Sequence, residues 1–287
     1  MHHTKASAST NSRRLLASGA LAASQLLLFT LPAAAVTADD PAPATGETRT
    51  AEHARGSAQM GEGILAYEGV QGVPADTRVA RTRGVDVSSH QGNVAWKKLR
   101  KSGVRWAYVK ATEGRSYRNP YFAQQYVGSY RSGMIRGAYH FATPDTSSGA
   151  AQADYFVKRG GAWSKDGRTL PGVLDIEYNP YGSTCYGKSP RQLVGWIRDF
   201  LNRYEKRTGR DAVIYTSTNW WKKCTGNYRG FAATNPLWIA RYASTVGPLP
   251  AGWKWHTMWQ YTANGRIVGD HNRFNGALDR VKALANG

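Results

Sequence analysis

Two carboxylates stand one residue apart at the end of an apolar run in the sequence "LPGVLDIEYNP", residues 170–180. Residues 172–177 have the short, β-branched character of a buried strand. Successive side chains of a strand point to opposite faces, so Asp175 and Glu177 are predicted to share one face. Two carboxyl groups that crowd together repel each other when both are ionised, and this raises the pKa of at least one of them. Such a pair could keep a proton available near neutral pH.

Two further acids are placed to join this pair. Asp86 stands at the end of the first predicted strand, in "GVDVSSHQG", and Asp270 stands at or just after the last one, in "VGDHNRFNG". The first and last strands of a closed barrel are neighbours, so Asp86 and Asp270 would lie close together. In a parallel barrel the active site lies at the carboxyl ends of the strands. Convergence of these acids there predicts a general acid of the kind that breaks a glycosidic bond.

Other interpretations of these acids stay open at this point. Asp86 and Asp270 each precede polar residues and could be turn or capping acids. Carboxylate clusters also bind Ca²⁺, although such sites usually string their acids along one loop. The sequence contains no HExxH, CxxC or GxSxG spacing, so we expect no metal, no cofactor and no serine nucleophile. Convergence at matching strand ends favours catalysis over the structural alternatives.

The elements that must position these acids alternate between strands and helices. The clearest helix spans residues 190–208, where apolar side chains repeat at the helical period. Ser189 is a suitable N-cap, Gln192 completes a capping box, and Gly209 stands where the helix should stop. Strands are predicted at residues 84–88, 105–111, 135–141, 172–177, 212–216, 237–241, 257–261 and 267–270.

This pattern predicts an α/β fold. Strands that alternate with helices indicate a parallel sheet, and eight of them indicate closure into a barrel. Glycine and proline between residues 241 and 257 exclude a long helix there. We therefore expect a TIM-like barrel with five βα units followed by three poorly covered strands. An open, doubly wound sheet is the main alternative.

The N-terminal part of the chain has a different composition. Residues 1–38 carry Lys5, Arg13 and Arg14 ahead of a largely apolar stretch that ends near "AAA", the layout of a secretory signal peptide. A transmembrane anchor is the alternative, but we expect export and no membrane anchor once the signal is removed. Residues 39–83 are predicted to form a flexible arm or propeptide, in which "GILAY" could be a short docking segment. Residues 84–287 would form the barrel domain.

The net charge indicates a preference for polyanions. The full chain carries +19, and removal of the three basic residues of the signal leaves +16. Such a protein concentrates at nucleic acid, anionic lipid or the anionic polymers of a bacterial wall. The charge is scattered and no nucleic-acid motif accompanies it, so no specific nucleic acid is expected.

The exported part of the chain contains two cysteines, Cys185 and Cys224. In an oxidising compartment such a pair is expected to form a disulfide. Two unpaired thiols are the alternative.

Several stretches, in order along the chain, resemble one known family. They are "GVDVSSHQGNVAW", "YVKATEG", "RGAYHFA", "VLDIE", and "MWQYT" with "DHNRFNG". Together they resemble the family 25 glycoside hydrolases, which are secreted or phage-encoded muramidases, the N,O-diacetylmuramidase type among them. The resemblance runs from about residue 84 to the C-terminus. The barrel of that family, with five βα units and three further strands, agrees with the pattern above.

The resemblance implies a role for each acid. Glu177 corresponds to the general acid/base and Asp175 to its partner, while Asp86 and Asp270 correspond to the other acids around the cleavage site. The side chains implied to line the sugar groove are Lys110, Tyr139, Phe141, Tyr215 and Trp259.

The implied activity is that of a secreted β-1,4-N-acetylmuramidase that cleaves peptidoglycan between N-acetylmuramic acid and N-acetylglucosamine. Retention through the substrate's own acetamido group is expected, in a monomer that binds peptidoglycan and anionic wall polymers. The alternatives are a hydrolase of chitin-like glycan on the same barrel, a non-catalytic wall-binding protein, and a nucleic-acid binder that only the charge supports.

Overall fold

The computed structural model describes residues 54–72 and 81–287. The predicted signal peptide, residues 1–38, lies outside the described residues, as do residues 39–53 and 73–80. Within the described part, no helix is both long and apolar enough to cross a membrane.

Eight strands close into a mixed barrel, which confirms the predicted α/β barrel. Neighbouring strands run parallel from the first to the seventh strand of the barrel, while the last one runs antiparallel to both of its neighbours. A ninth, two-residue strand, β3, pairs with β2 outside the closed ring. The strands are β1 (Thr82–Val87), β2 (Trp106–Glu113), β3 (Tyr117–Arg118), β4 (Ile135–Phe141), β5 (Val173–Asp175), β6 (Val213–Thr216), β7 (Leu237–Ala240), β8 (Met258–Thr262) and β9 (Asp270–Phe274).

Helices follow each of the first five barrel strands, and a further helix ends the chain. One more helix, α1, precedes the barrel. Their bounds are α1 (Glu62–Glu68), α2 (Trp96–Lys101), α3 (Phe122–Arg131), α4 (Gly149–Phe156), α5 (Pro190–Thr208), α6 (Thr218–Thr225) and α7 (Leu278–Asn286).

The longest helix, α5, has the bounds that the sequence predicts. The Ser189 hydroxyl accepts from the Gln192 amide, and the Gln192 side chain accepts from the Ser189 amide at 2.8 Å. Gly209 ends the helix in the left-handed conformation at φ 69°. Local capping chemistry therefore fixes both ends, and the apolar stripe of the helix packs on the barrel.

An aromatic layer fills the barrel near the amino ends of its parallel strands. The rings of Trp106, Tyr108 and Trp238 pack together, with ring centroids between 5.0 and 6.1 Å apart. All three side chains are fully buried. Because alternate residues of a strand face the interior, the next inward residue along β2 is Lys110, at the carboxyl end. The aromatic layer thus lies beneath a polar layer at the mouth of the barrel, the end where the parallel strands finish.

The last strand differs from its prediction. It spans Asp270–Phe274, whereas the sequence predicts a parallel strand at residues 267–270 with Asp270 at its end. Asp270 instead begins β9, and β9 runs antiparallel to β1. The start of an antiparallel strand lies beside the ends of its parallel neighbours, so Asp270 is still paired with Asp86 at the mouth.

Two features outside the barrel complete the fold. Cys185, in the loop after β5, and Cys224 form a disulfide with their Cα atoms 5.3 Å apart, which confirms the predicted pair. Cys224 lies in helix α6 rather than in a loop. Residues 54–72 of the predicted arm pack against the barrel, and α1 contains the suggested docking segment at residues 63–67. Thr82 and Arg83, at the end of the predicted arm, belong to β1.

Candidate active site

Asp175 and Glu177 lie together at the mouth of the barrel. Asp175 is the last residue of β5, and Glu177 follows two residues later. Between them, the Ile176 amide donates to the Tyr215 carbonyl at 3.0 Å, so contact with the neighbouring strand continues past the end of β5. Both carboxyl groups are fully buried, and the charge of Glu177 raises the pKa of Asp175.

Burial keeps a proton on this pair. It raises the pKa of Glu177 from 4.5 to about 8, against the opposing effect of backbone amides that donate to the carboxyl group. Burial, and then the charge of Glu177, raises the pKa of Asp175 well above its usual range, while the charge of Lys110 lowers it. No described residue donates a hydrogen bond to either oxygen of Asp175. Burial thus favours the protonated form of Glu177, and both oxygens of Asp175 lack a hydrogen-bond partner among the described residues.

Asp86 and Asp270 form a second pair, opposite each other in the register of β1 and β9. One oxygen of Asp86 accepts from the side-chain amides of Asn272 at 2.6 Å and Gln260 at 3.0 Å. Gln260 also donates to Asp270 at 3.3 Å. Burial raises the pKa of Asp86 to about 7, although both amide donors lower it. For Asp270, burial and then the charge of Asp86 raise the pKa well above its usual range.

Gln260 connects these acids to two tyrosines. Its side-chain oxygen accepts from the hydroxyls of Tyr215 at 2.6 Å and Tyr242 at 2.7 Å. With its oxygen held in this way, its amide nitrogen faces Asp86 and Asp270. Sequence reasoning identified Tyr215 but missed Gln260 and Tyr242, although "MWQYT" was among the quoted motifs.

Lys110 occupies the neighbouring part of the mouth. Its ammonium group pairs with Glu113 at 2.7 Å, and both side chains are buried. It also lies 5.3 Å from the ring centre of Phe141 and 4.9 Å from that of Tyr117. Burial lowers the pKa of Lys110, while the charge of Glu113 raises it. Glu113 is a further residue of the mouth that sequence reasoning missed.

Tyr139 and Trp259 differ in their relation to the acids. Tyr139 is buried among them, since the charges of Asp86 and Asp175 both raise its pKa after the larger effect of burial. Trp259 precedes Gln260 on β8 and therefore points to the opposite face of the strand. Its ring packs near Tyr261 at 5.9 Å, and its N–H donates to the backbone at residue 241. The structure does not group Trp259 with the other four predicted groove residues.

The four carboxyl groups do not form a cation site. Among the described residues, no group of three or more His, Cys, Asp or Glu side chains is arranged to hold a metal ion. The acids instead form two buried pairs of raised pKa, surrounded by tyrosine hydroxyls, amides and one lysine. This is the arrangement of a glycoside hydrolase, in which carboxyl groups protonate the leaving oxygen and stabilise the reacting sugar.

Comparison with known proteins specifies the class. The model of the glycosyl hydrolases family 25 matches residues 85–270, and the chain belongs to that family of glycoside hydrolases. The chain is 44% identical to Lysozyme M1 of Streptomyces globisporus over 278 residues, 93% of this chain and 92% of that protein.

Other relatives match the barrel alone. The N,O-diacetylmuramidase of Chalaropsis sp is 46% identical over 209 residues, 71% of this chain and 99% of that protein. The structure of a muramidase from Acremonium alcalophilum is 54% identical, with a TM-score of 0.71, and covers 72% of this chain and 100% of its own.

Proposed function

We propose that this protein is a secreted muramidase that cleaves the β-1,4 bond between N-acetylmuramic acid and N-acetylglucosamine in peptidoglycan. The names of its relatives, a lysozyme and two muramidases, support this substrate. The observation that carries the proposal is the buried pair at the mouth. With residues 54–72 in place, burial raises the pKa of Glu177 to about 8, and neither oxygen of Asp175 receives a hydrogen bond from the described residues.

In the proposed mechanism the substrate supplies its own nucleophile. Glu177 protonates the leaving glycosidic oxygen, and Asp175 accepts the N–H of the acetamido group beside the bond that breaks. The acetamido oxygen, oriented and polarised in this way, attacks the anomeric carbon and displaces the leaving sugar. Glu177 then takes a proton from the water that opens the intermediate, which gives net retention.

The other residues of the mouth serve this reaction. Asp86 and Asp270, held by the amides of Asn272 and Gln260, are proposed to stabilise the positive charge that develops on the sugar ring. Lys110, Tyr139, Phe141 and Tyr215 are proposed to line the groove for the glycan; Trp259 remains a prediction from the resemblance.

Export and substrate attraction complete the proposal. Residues 1–38 are proposed to direct export and to be removed, and the mature enzyme is proposed to act as a monomer without a cofactor. Its charge of +16 would draw it to the anionic polymers of the wall.

The activity is tested with Glu177→Gln, because the amide keeps the shape of the side chain but cannot deliver a proton. Release of reducing ends from purified peptidoglycan should fall by about 10²–10⁴-fold. Glu205→Gln makes the same change at an exposed position of α5 and should leave the rate unaltered. Both variants are measured as the intact chain and after proteolytic removal of the residues ahead of the barrel. Retention of more than a tenth of the rate by Glu177→Gln would contradict the role of Glu177.

Two further measurements separate the alternatives. Chitin oligomers in place of peptidoglycan test the chitin-type hydrolase, and wall binding without turnover would indicate a non-catalytic binding protein. NMR of the first-formed anomer tests the mechanism. Initial release of the β-anomer would show retention, which substrate assistance and a covalent glycosyl-enzyme share, whereas the α-anomer would mean direct attack by water and would exclude substrate assistance.

A further inference from the structure

The arm segment, residues 54–72, lies in the mouth of the barrel rather than beside it. Ala58, Met60 and Ile64 are each at most 1% exposed. The four acids are also buried, the most exposed of them being Asp270 at 9%. A glycosidase must admit a polysaccharide to these acids, so the burial of the acids needs an explanation.

The arm segment contacts the proposed general acid directly. The backbone N–H groups of Gly61 and Ile64 donate to the two oxygens of Glu177, at 2.5 and 3.0 Å. Both oxygens are therefore engaged by the arm segment. Glu177 has to face the glycosidic oxygen of a bound glycan, and it cannot do so while these contacts persist.

The groove residues are engaged in the same way. Lys110 donates to the carbonyl oxygen of Ala58. The Tyr242 hydroxyl lies 3.2 Å from the carbonyl oxygen of Gly61, and the Gly56 amide donates to Glu113 at 2.8 Å. These are backbone groups of the turns and loop ahead of α1, and they occupy the polar groups that would receive a sugar.

Side chains of α1 fasten the arm segment to the rim. The ring of Tyr67 stacks on that of Tyr178, with centroids 4.4 Å apart. Glu68 accepts from the Tyr178 hydroxyl at 3.1 Å and from the Asn219 amide at 2.9 Å. The contact thus extends across the mouth from the groove to the loop after β5 and the first turn of α6.

We propose that the arm segment is an intramolecular inhibitor, which competes with the glycan for the groove and must leave before the substrate binds. The inference rests on the proposed function, since it assigns the same mouth to the glycan. The match to Lysozyme M1 spans 93% of this chain, whereas the Acremonium alcalophilum muramidase matches the barrel length alone. Relatives thus match this chain both with and without the length of the arm.

Gly63 offers a way to undock the arm segment without altering the barrel. A Cβ atom at this position would stand 2.8 Å from the Cβ of Tyr178, 2.9 Å from its carbonyl oxygen and 3.0 Å from Glu177. Leucine at position 63 should stabilise the free helix, because glycine is a poor helix former. The arm segment with this larger side chain should nevertheless not fit in the mouth. Ala66→Leu is the matched control, since Ala66 lies in the same helix and is exposed.

The test measures hydrolysis of short soluble peptidoglycan fragments by the intact chain. Gly63→Leu should raise the rate by about tenfold or more, because overpacking at this position weakens the docking of the arm segment. Ala66→Leu should behave as the wild type. A second comparison uses the chain with a specific protease sequence placed between Gly72 and Arg81 and no other change. Its rate is measured before cleavage, and again after cleavage with the released arm washed away. Cleavage should raise the rate at least as much as Gly63→Leu.

Added peptide gives the complementary measurement. A synthetic peptide of residues 54–72 should inhibit the cleaved enzyme by raising KM and leaving kcat unchanged, and the Gly63→Leu peptide should not. If the intact and the cleaved chains hydrolyse the fragments equally fast, the arm is not an inhibitor, although the proposed function stands.

If no form of the protein hydrolyses peptidoglycan, the proposed function fails instead. The inference is then decided by calorimetric titration of the cleaved chain, from which the released arm has been washed away, with the same peptides. Binding of the wild-type and Ala66→Leu peptides, but not of the Gly63→Leu peptide, would support occupation of the mouth. Absence of binding by any of them would overturn the inference.

Discussion

The pH dependence of stability gives a direct test of the burial of Glu177. In the unfolded chain its carboxyl group has a pKa near 4.5, and in the folded protein burial raises the pKa to about 8. Between these values the folded protein holds a proton that the unfolded chain has lost. The stabilising contribution is therefore complete below pH 4.5 and is lost as the pH rises to about 8.

The size of the effect follows from the shift. A difference of one bound proton between the folded and unfolded states changes the free energy of unfolding by about 1.4 kcal/mol per pH unit. Between pH 4.5 and about 8 the change therefore amounts to about 5 kcal/mol. Glu177→Gln removes the titrating group and retains a neutral side chain of the same shape. The variant should therefore gain stability relative to the wild type as the pH rises from 5 to 8.

The assay is urea unfolding of the intact chain at several pH values across this window, followed by tryptophan fluorescence. Other buried acids, Asp86 among them, titrate in both proteins. After burial, the charge of Glu177 also contributes to the raised pKa of Asp175 and Asp270, so the difference between wild type and variant reports Glu177 together with this coupling. Glu205→Gln, on the exposed face of α5, should follow the wild type at every pH. If the wild type and Glu177→Gln change in parallel, the pKa of Glu177 is not raised and its role as a ready proton donor loses its basis.

Three further predictions concern packing, the disulfide and the wall. Gly149→Ala should destabilise the protein by about 1–3 kcal/mol in urea unfolding, because its Cβ would stand 2.3 Å from the Trp196 carbonyl oxygen; an unchanged midpoint would contradict this close helix contact. Replacing both Cys185 and Cys224 by Ala should cost up to roughly 4 kcal/mol by the same measurement, for a bridge between residues 39 apart, and no loss would refute its stabilising role. Added salt should slow hydrolysis of whole cells more steeply than that of short soluble glycan, because it screens the attraction of the +16 charge; equal sensitivity would exclude steering.

The parts of the fold that follow from local chemistry could be predicted from the sequence. Ser189, Gln192 and Gly209 mark the ends of α5 by the capping bonds that they make, and those bonds need no information from the rest of the chain. The placement of Asp175 and Glu177 on one face likewise needs only the alternation of a strand.

Residues that depend on an irregularity of the sheet could not be found in this way. Lys110 and Glu113 are three positions apart on β2, and in a regular strand they would point to opposite faces. The register against β4 shifts between Lys110 and Thr112, and this irregularity accompanies the pairing of Lys110 with Glu113 in the mouth. A second shift, after Gln260 on β8, has no signal in the sequence either.

The burial of the arm segment against the barrel was not predicted, for a related reason. Its composition provides too few apolar residues for a core of its own, which favoured a flexible arm. Met60 and Ile64 are nevertheless buried, because the surface that covers them belongs to the barrel. Composition measures what a segment can bury against itself, and it does not detect a groove supplied by another part of the chain.

Asp270 shows how a correct position can follow from an incorrect strand direction. The prediction placed it at the end of a parallel strand beside Asp86, and the structure places it at the start of an antiparallel one. Both arrangements bring the residue to the mouth, since the start of an antiparallel strand lies beside the end of its parallel neighbour. The antiparallel direction has a further consequence for chemistry: Asn272, two residues further along β9, lies below Asp270 on the same face and donates to Asp86 at 2.6 Å. A parallel last strand that ended at Asp270 would have carried the chain away from the barrel at this point, and Asp86 would have lost the shorter of its two amide donors.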